Sequence, residues 1–171
     1  MKTLIVASVL VGIAGCAQVN RPKSVELLSF GIFGKVSPQS NLPDSGTVSE
    51  SRPAAAQAVL LESTTNIPAQ IGTSFGVRVR YHGRTPGAVV NCTAKCVHPK
   101  LTDPSSGRTS EVEEWDASSV SGAEEYIGYT LDKAWELVPG EWKLQVWVGS
   151  KLMVEKAFIL QAPSGGPASP R

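Results

Sequence analysis

Apolar and polar positions alternate through much of the second half of this chain. In residues 75–81, Phe75, Val77, Val79 and Tyr81 alternate with Gly76, Arg78 and Arg80. In residues 141–148, Trp142, Leu144, Val146 and Val148 alternate with Lys143, Gln145 and Trp147. A period of two sends one set of side chains to a core and the other to water, which predicts half-buried strands. Residues 88–98 read as another strand, stopped by Pro99, and residues 109–115, 125–131 and 151–160 as further ones. Turn chemistry separates them: Asp103-Pro104 with Ser106-Gly107, then Leu137-Val138-Pro139-Gly140, then Gly149-Ser150 closing a terminal hairpin. Upstream, residues 25–36 are apolar enough for a first strand, broken by Gly31 and Gly34. Residues 54–63 start alanine-rich, but Val59-Leu60-Leu61 and Thr64-Thr65 favour a strand over a helix.

No long segment repeats at 3.6 residues, so helices should be scarce. Seven or eight short strands with turns between them predict an all-β fold, a single immunoglobulin-like antiparallel β-sandwich. A closed β-barrel is the competing arrangement.

The N-terminus follows a different pattern. Lys2 gives a positive start, residues 4–11 an apolar run, and Ile13-Ala14-Gly15 lead to Cys16. The run falls short of the roughly 20 apolar residues of a membrane-spanning helix, and its flanks suit a secretory signal. Small residues before a cysteine match a bacterial lipoprotein signal peptide, with Cys16 as the lipidation site. In that pathway the thiol takes a diacylglycerol, cleavage frees the Cys16 amine, and a further acyl chain such as palmitate is added. Several acyl chains anchor a domain to a membrane stably where one does not. The expected plan is a signal peptide at 1–15, a tether at 16–23 and a sandwich domain at 24–161. Within that domain residues 37–53, rich in Ser, Pro, Asn and Asp, read as a mobile loop. The Pro/Gly/Ser-rich residues 162–171 read as a disordered tail. Ala17 and Gln18 follow the cysteine, without the aspartate that retains lipoproteins at an inner membrane. In a Gram-negative cell this implies the periplasmic face of the outer membrane.

Charge narrows the partners. The chain holds 16 Lys and Arg against 15 Asp and Glu, and losing Lys2 with the signal leaves 15 against 15. There is no basic stripe for nucleic acid and no polybasic patch for anionic lipid. The expected partners are membrane lipid through Cys16 and an envelope protein or glycan.

Candidate chemistry is thin. If residues 88–98 form one straight strand, Cys92 and Cys96 lie about 13 Å apart, beyond the roughly 7 Å that a disulfide spans. They then share a small apolar face with Val90 and Ala94 as buried thiols. A hairpin at Thr93-Ala94-Lys95 is the alternative that would join them. A metal reading would add His98, with His82 or Met153 as distant extras, but ligands strung along one strand cannot converge on one ion. His82 and His98 are the two histidines available as neutral-pH bases, and no serine stands in a Gly-x-Ser-x-Gly elbow. Glu111, Glu113, Glu114 and Asp116 surround Trp115 as a solvated strand edge would. Trp142 should be core, whereas Trp147 falls on the opposite face of its strand. Trp147 and Trp115 are therefore the candidate binding surface. These observations predict a non-catalytic binding or assembly module with no cofactor. The alternative is a periplasmic metal-handling protein or envelope enzyme using His82, His98 or the cysteines.

Several blocks carry a family likeness. They are Phe30-Gly31-Ile32-Phe33, Ile67-Pro68, residues 98–104 with Gly107, Trp115, Tyr126-Ile127-Gly128-Tyr129 and residues 135–142 from Trp135 to Trp142. On these the chain resembles the bacterial family known as domain of unknown function 3859. The resemblance supports the fold and implies no catalytic residue.

Overall fold

The computed structural model describes residues 22–36, 41–43, 51–53 and 57–162. The signal segment, Cys16, most of the tether, most of residues 37–53 and the tail after Ala162 lie outside the described residues. In chain order the strands are β1 (Ser24–Val36), β2 (Asn41–Pro43), β3 (Ser51–Pro53), β4 (Gln57–Glu62), β5 (Asn66–Pro68), β6 (Ser74–His82) and β7 (Val89–Val90). They continue as β8 (Thr93–Thr102), β9 (Thr109–Asp116), β10 (Ser119–Val120), β11 (Glu124–Thr130), β12 (Gly140–Val148) and β13 (Lys151–Gln161). One 3-10 turn, Ala134–Glu136, precedes β12.

Two sheets face each other. One has the order β11-β6-β1-β4 and the other β5-β13-β12-β8-β9; β10 pairs with β7, and β2 with β3. Every pairing is antiparallel except β13 with β5. The two main sheets are open, each with its own edges, so the arrangement is a sandwich and not a barrel.

The alternation that predicted the strands also builds the core. Phe75, Val77, Val79 and Tyr81 of β6 are fully buried, and so are Trp142 and Val146 of β12. Phe75 meets Trp142 edge-on at 5.9 Å and Phe158 of β13 at 5.2 Å, tying the sheets together. Burying each such side chain stabilises the fold by about 1.5–3 kcal/mol.

In the four-stranded sheet, on the face away from Phe75 and Val77, Gly76 and Gly128 sit opposite each other on β6 and β11. The Tyr126 ring lies across both, its hydroxyl donating to the Phe75 carbonyl at 3.1 Å. Phe33 packs against that ring at 4.7 Å.

Three expectations need correction. Residues 88–98 are not one strand: β7 pairs with β10, and after Asn91 and Cys92 the chain enters β8 in the five-stranded sheet. Val90, Cys92, Ala94, Cys96 and His98 are all buried at alternate positions, so the period of two runs unbroken through a change of pairing partner. Pro99 does not stop β8, which continues to Thr102. The ladder with β9 shifts between Val97 and Leu101, so proline sits where no ladder bond needs its missing N–H. His98 is accordingly a buried residue within β8. Gly31 and Gly34 do not interrupt β1. Gly31 has φ +142°, and a Cβ there would collide with the Glu62 carbonyl of β4, so glycine permits this close approach. Within residues 37–53, β2 and β3 form a short antiparallel pair.

Candidate functional site

The turn from Leu131 to Gly140 carries the chain from one sheet to the other and brings several of the motif residues together. Glu136, in the 3-10 turn, is buried. Its Oε2 accepts from the backbone N–H of Asp132 at 2.7 Å and of Lys133 at 2.8 Å. Its Oε1 accepts from the Tyr129 hydroxyl at 3.2 Å. Burial, followed by the Glu113 and Glu136 charges, raises the Tyr129 hydroxyl far above its ordinary range and keeps it a donor. Trp142 Nε1 donates to the Val138 carbonyl at 3.2 Å. His98 packs on Trp142 at 5.0 Å between ring centres, with Nδ1 2.8 Å from the Pro99 carbonyl. That contact makes Nδ1 the protonated nitrogen, and Nε2 is buried without a partner among the described residues. These polar groups are used to hold the turn against the sheets.

The remaining candidates are dispersed. Cys92 and Cys96 are both free and buried. Burial, with a smaller contribution from Asp116, pushes the Cys92 thiol up to about 11. Burial and then Glu113 push Cys96 higher still. Both are thiols at neutral pH, a poor state for nucleophile or metal ligand. His82 ends β6 on the other sheet, exposed, with Nε2 2.9 Å from Glu26 Oε2. Among the described residues no three His, Cys, Asp or Glu side chains are grouped to hold a metal ion. Neither histidine has a hydroxyl within hydrogen-bonding distance among those residues.

Two hollows follow one another along β9, the outer strand of the five-stranded sheet. The first, about 560 Å³, is lined by Leu101, Arg108, Thr109, Glu113, Glu114 and Trp135, with the Asp103 turn at its rim. The second, about 150 Å³, lies between Trp115 and Asp116 of β9 and residues 125–127 of β11. Edge strands β9 and β11 therefore flank one open seam of the sandwich. Glu111, Glu113, Glu114 and Asp116 are exposed on β9, as expected for a strand edge, and Glu114 pairs with Lys95 at 2.8 Å. At the rim, Ser105 and Ser106 donate to Asp103 and hold its carboxyl down to about 2. Asp116 is lowered in the same way by Ser118.

The tryptophans divide between these surfaces. Trp115 sits opposite Ala94 with its ring partly against the core, in the second hollow. Trp147 lies on the outer face of the five-stranded sheet, half-buried. Lys95 Nζ is 5.4 Å from its ring centre, and its Nε1 donates to Gln145 at 2.9 Å. Its cover thus comes from strand neighbours. Trp135 forms the aromatic wall of the larger hollow. The sequence offered little to single it out, because its role depends on β9 folding alongside the 131–140 turn.

A family model described as "Domain of unknown function (DUF3859)" matches residues 21–160. Among solved structures, an immunoglobulin-like protein from Pseudomonas aeruginosa is 26% identical, with TM-score 0.57. The match covers 82% of this chain and 98% of that one, and the fold is immunoglobulin-like. An alkylpurine DNA glycosylase from Pseudomonas fluorescens is 14% identical over 57% of this chain and 28% of its own, with TM-score 0.36. That likeness is too slight to carry an argument. No curated protein matches.

Proposed function

This chain belongs to the DUF3859 family, and we propose that it is a lipid-anchored, non-catalytic binding module of the cell envelope. The anchor is Cys16, reached through the signal-like residues 1–15 and carried on the short tether before β1. In a Gram-negative cell it holds the sandwich at the periplasmic face of the outer membrane. The binding face is the seam along β9.

The single observation that supports this face is its composition. Trp135, Trp115, Arg108, Glu113 and several hydroxyls line consecutive hollows on one strand edge. Concave sites that combine an aromatic wall with a few polar groups are where ligands bind. The non-catalytic reading is supported by the separation of His82 and His98 on different sheets and by the protonated, buried state of Cys92 and Cys96.

Two measurements test it. Cell fractionation should find the protein with membranes, and Cys16→Ser should release it to the soluble fraction; retention of that variant would remove the anchor. Full-length protein in detergent should be retained by envelope fractions. Arg108→Ala combined with Glu113→Gln and Trp135→Phe should release it while circular dichroism stays unchanged. Equal retention of the triple variant would remove the seam as the binding face.

A further inference from the structure

We propose that the larger hollow on β9 is a subsite for a neutral oligosaccharide, with a sugar ring stacked against Trp135 and its hydroxyls held by Arg108 and Glu113. The inference rests on the reading of the seam as the binding face and names the ligand class.

Size permits it. The hollow of about 560 Å³ falls within the ~300–1,000 Å³ of small-molecule sites. The eight residues of β9 give an edge about 26 Å long at 3.3 Å per residue. That length lets linked units run from Trp135 toward the Trp115 hollow.

The chemistry also selects a sugar. A pyranose ring has a C–H face that packs on an aromatic ring and a rim of hydroxyls that both donate and accept. The hollow supplies one aromatic wall, the guanidinium of Arg108 as donor, the carboxylate of Glu113 as acceptor, and the Thr109 hydroxyl as either. Glu114 is already engaged by Lys95 and Asp103 by its own turn, which leaves Arg108 and Glu113 as the opposed charged pair. A lining with carboxylates on it disfavours phosphorylated or uronate ligands.

A peptide adding as a further strand is the competing occupant, since β9 is an edge. Its backbone is partly closed to that: the Ser110 side chain donates to the Val112 carbonyl at 2.5 Å and accepts from the Val112 N–H at 3.1 Å. Charged side chains along the edge further discourage strand addition.

The experiment is isothermal titration of the Cys16→Ser full-length chain with three probes: neutral oligosaccharides of one to six units, galacturonate oligomers and oligolysine. Neutral oligosaccharides should bind, more tightly as units are added, and the other two should not. Trp135→Ala should weaken binding about tenfold or more, as loss of a buried aromatic contact does. Glu113→Gln, an exposed change that leaves the fold intact, should weaken it about threefold, a single polar contact's share. Trp135→Phe should retain most of it, and Trp147→Ala all of it. Three results would overturn the proposal: no neutral saccharide binding at millimolar concentration, binding indifferent to Trp135→Phe, Trp135→Ala and Glu113→Gln alike, or binding of oligolysine or uronate in its place. Retention of the full-length protein by envelope fractions separates the two levels. Seam-dependent retention without saccharide binding removes the sugar and keeps the binding face.

Discussion

Replacing Glu136 tests whether the buried carboxylate organises the turn that carries Trp135. Glu136→Ala strands three donors: the N–H groups of Asp132 and Lys133 and the Tyr129 hydroxyl. Hydrogen bonds to a charged group contribute about 1.5–3 kcal/mol each and neutral ones about 1 kcal/mol. Two terms reduce the loss. Asp132 and Lys133 are exposed residues, so water reaches their N–H groups, and alanine also removes the cost of burying a charge. The expected net loss is about 2–3 kcal/mol. At about 2–4 °C per kcal/mol for a domain of this size, the melting temperature should fall by roughly 5–10 °C.

Glu136→Gln discriminates further. Both N–H groups use the same oxygen, so one amide oxygen serves them and the amide NH2 donates to Tyr129. That variant should lose only the charge assistance, about 1 kcal/mol. Urea unfolding with an unchanged slope gives both values. A loss below about 0.5 kcal/mol for Glu136→Ala, within the range of ordinary surface substitutions, would refute the argument. So would a glutamine variant less stable than the alanine one.

Two further outcomes follow from the packing. A Cβ at Gly76 would lie 2.5 Å from the Ile127 carbonyl oxygen and 2.6 Å from Tyr126 Cε2. Gly76→Ala should therefore cost about 1–3 kcal/mol, as overpacking does, and a urea midpoint equal to the parent's would contradict it. The cysteines predict a pH response. Cys92 is raised from 9.0 to about 11 on folding, so above pH 9 the unfolded chain releases a proton that the folded one keeps. Its stabilising contribution is complete below about pH 9 and is lost as pH rises through about 11. Cys92 should make stability fall across that window by on the order of 1 kcal/mol per pH unit, and Cys92→Ala should reduce the slope, leaving the part due to the more strongly raised Cys96. A flat profile from pH 9 to 11 in the parent chain would count against the buried thiol.

Much of the architecture was legible because burial leaves a period-two trace. Phe75 to Tyr81 and Trp142 to Val148 point as the alternation requires, and Trp142 and Trp147 part to opposite faces as predicted. The trace reports which way side chains point and is silent on hydrogen-bond partners. That is why residues 88–98 read as one strand although β7 and β8 pair with different neighbours. Pro99 misled for the same reason, since its effect depends on whether a ladder bond is needed at that place. The hollows were legible only in part: Trp115 and the acidic edge of β9 stood out, and Trp135 did not.

The sequence by itself determined the class of fold and the inward and outward sets of each main strand. These depend on neighbours in the chain and on hydropathy, both written in residue order. The tertiary structure alone decided that β9 and β11 flank an open seam and that the Leu131–Gly140 turn sets Trp135 into it. Those juxtapositions join residues far apart in the chain across two sheets. No local pattern encodes them, because they arise only when the two faces pack and the strand order is fixed.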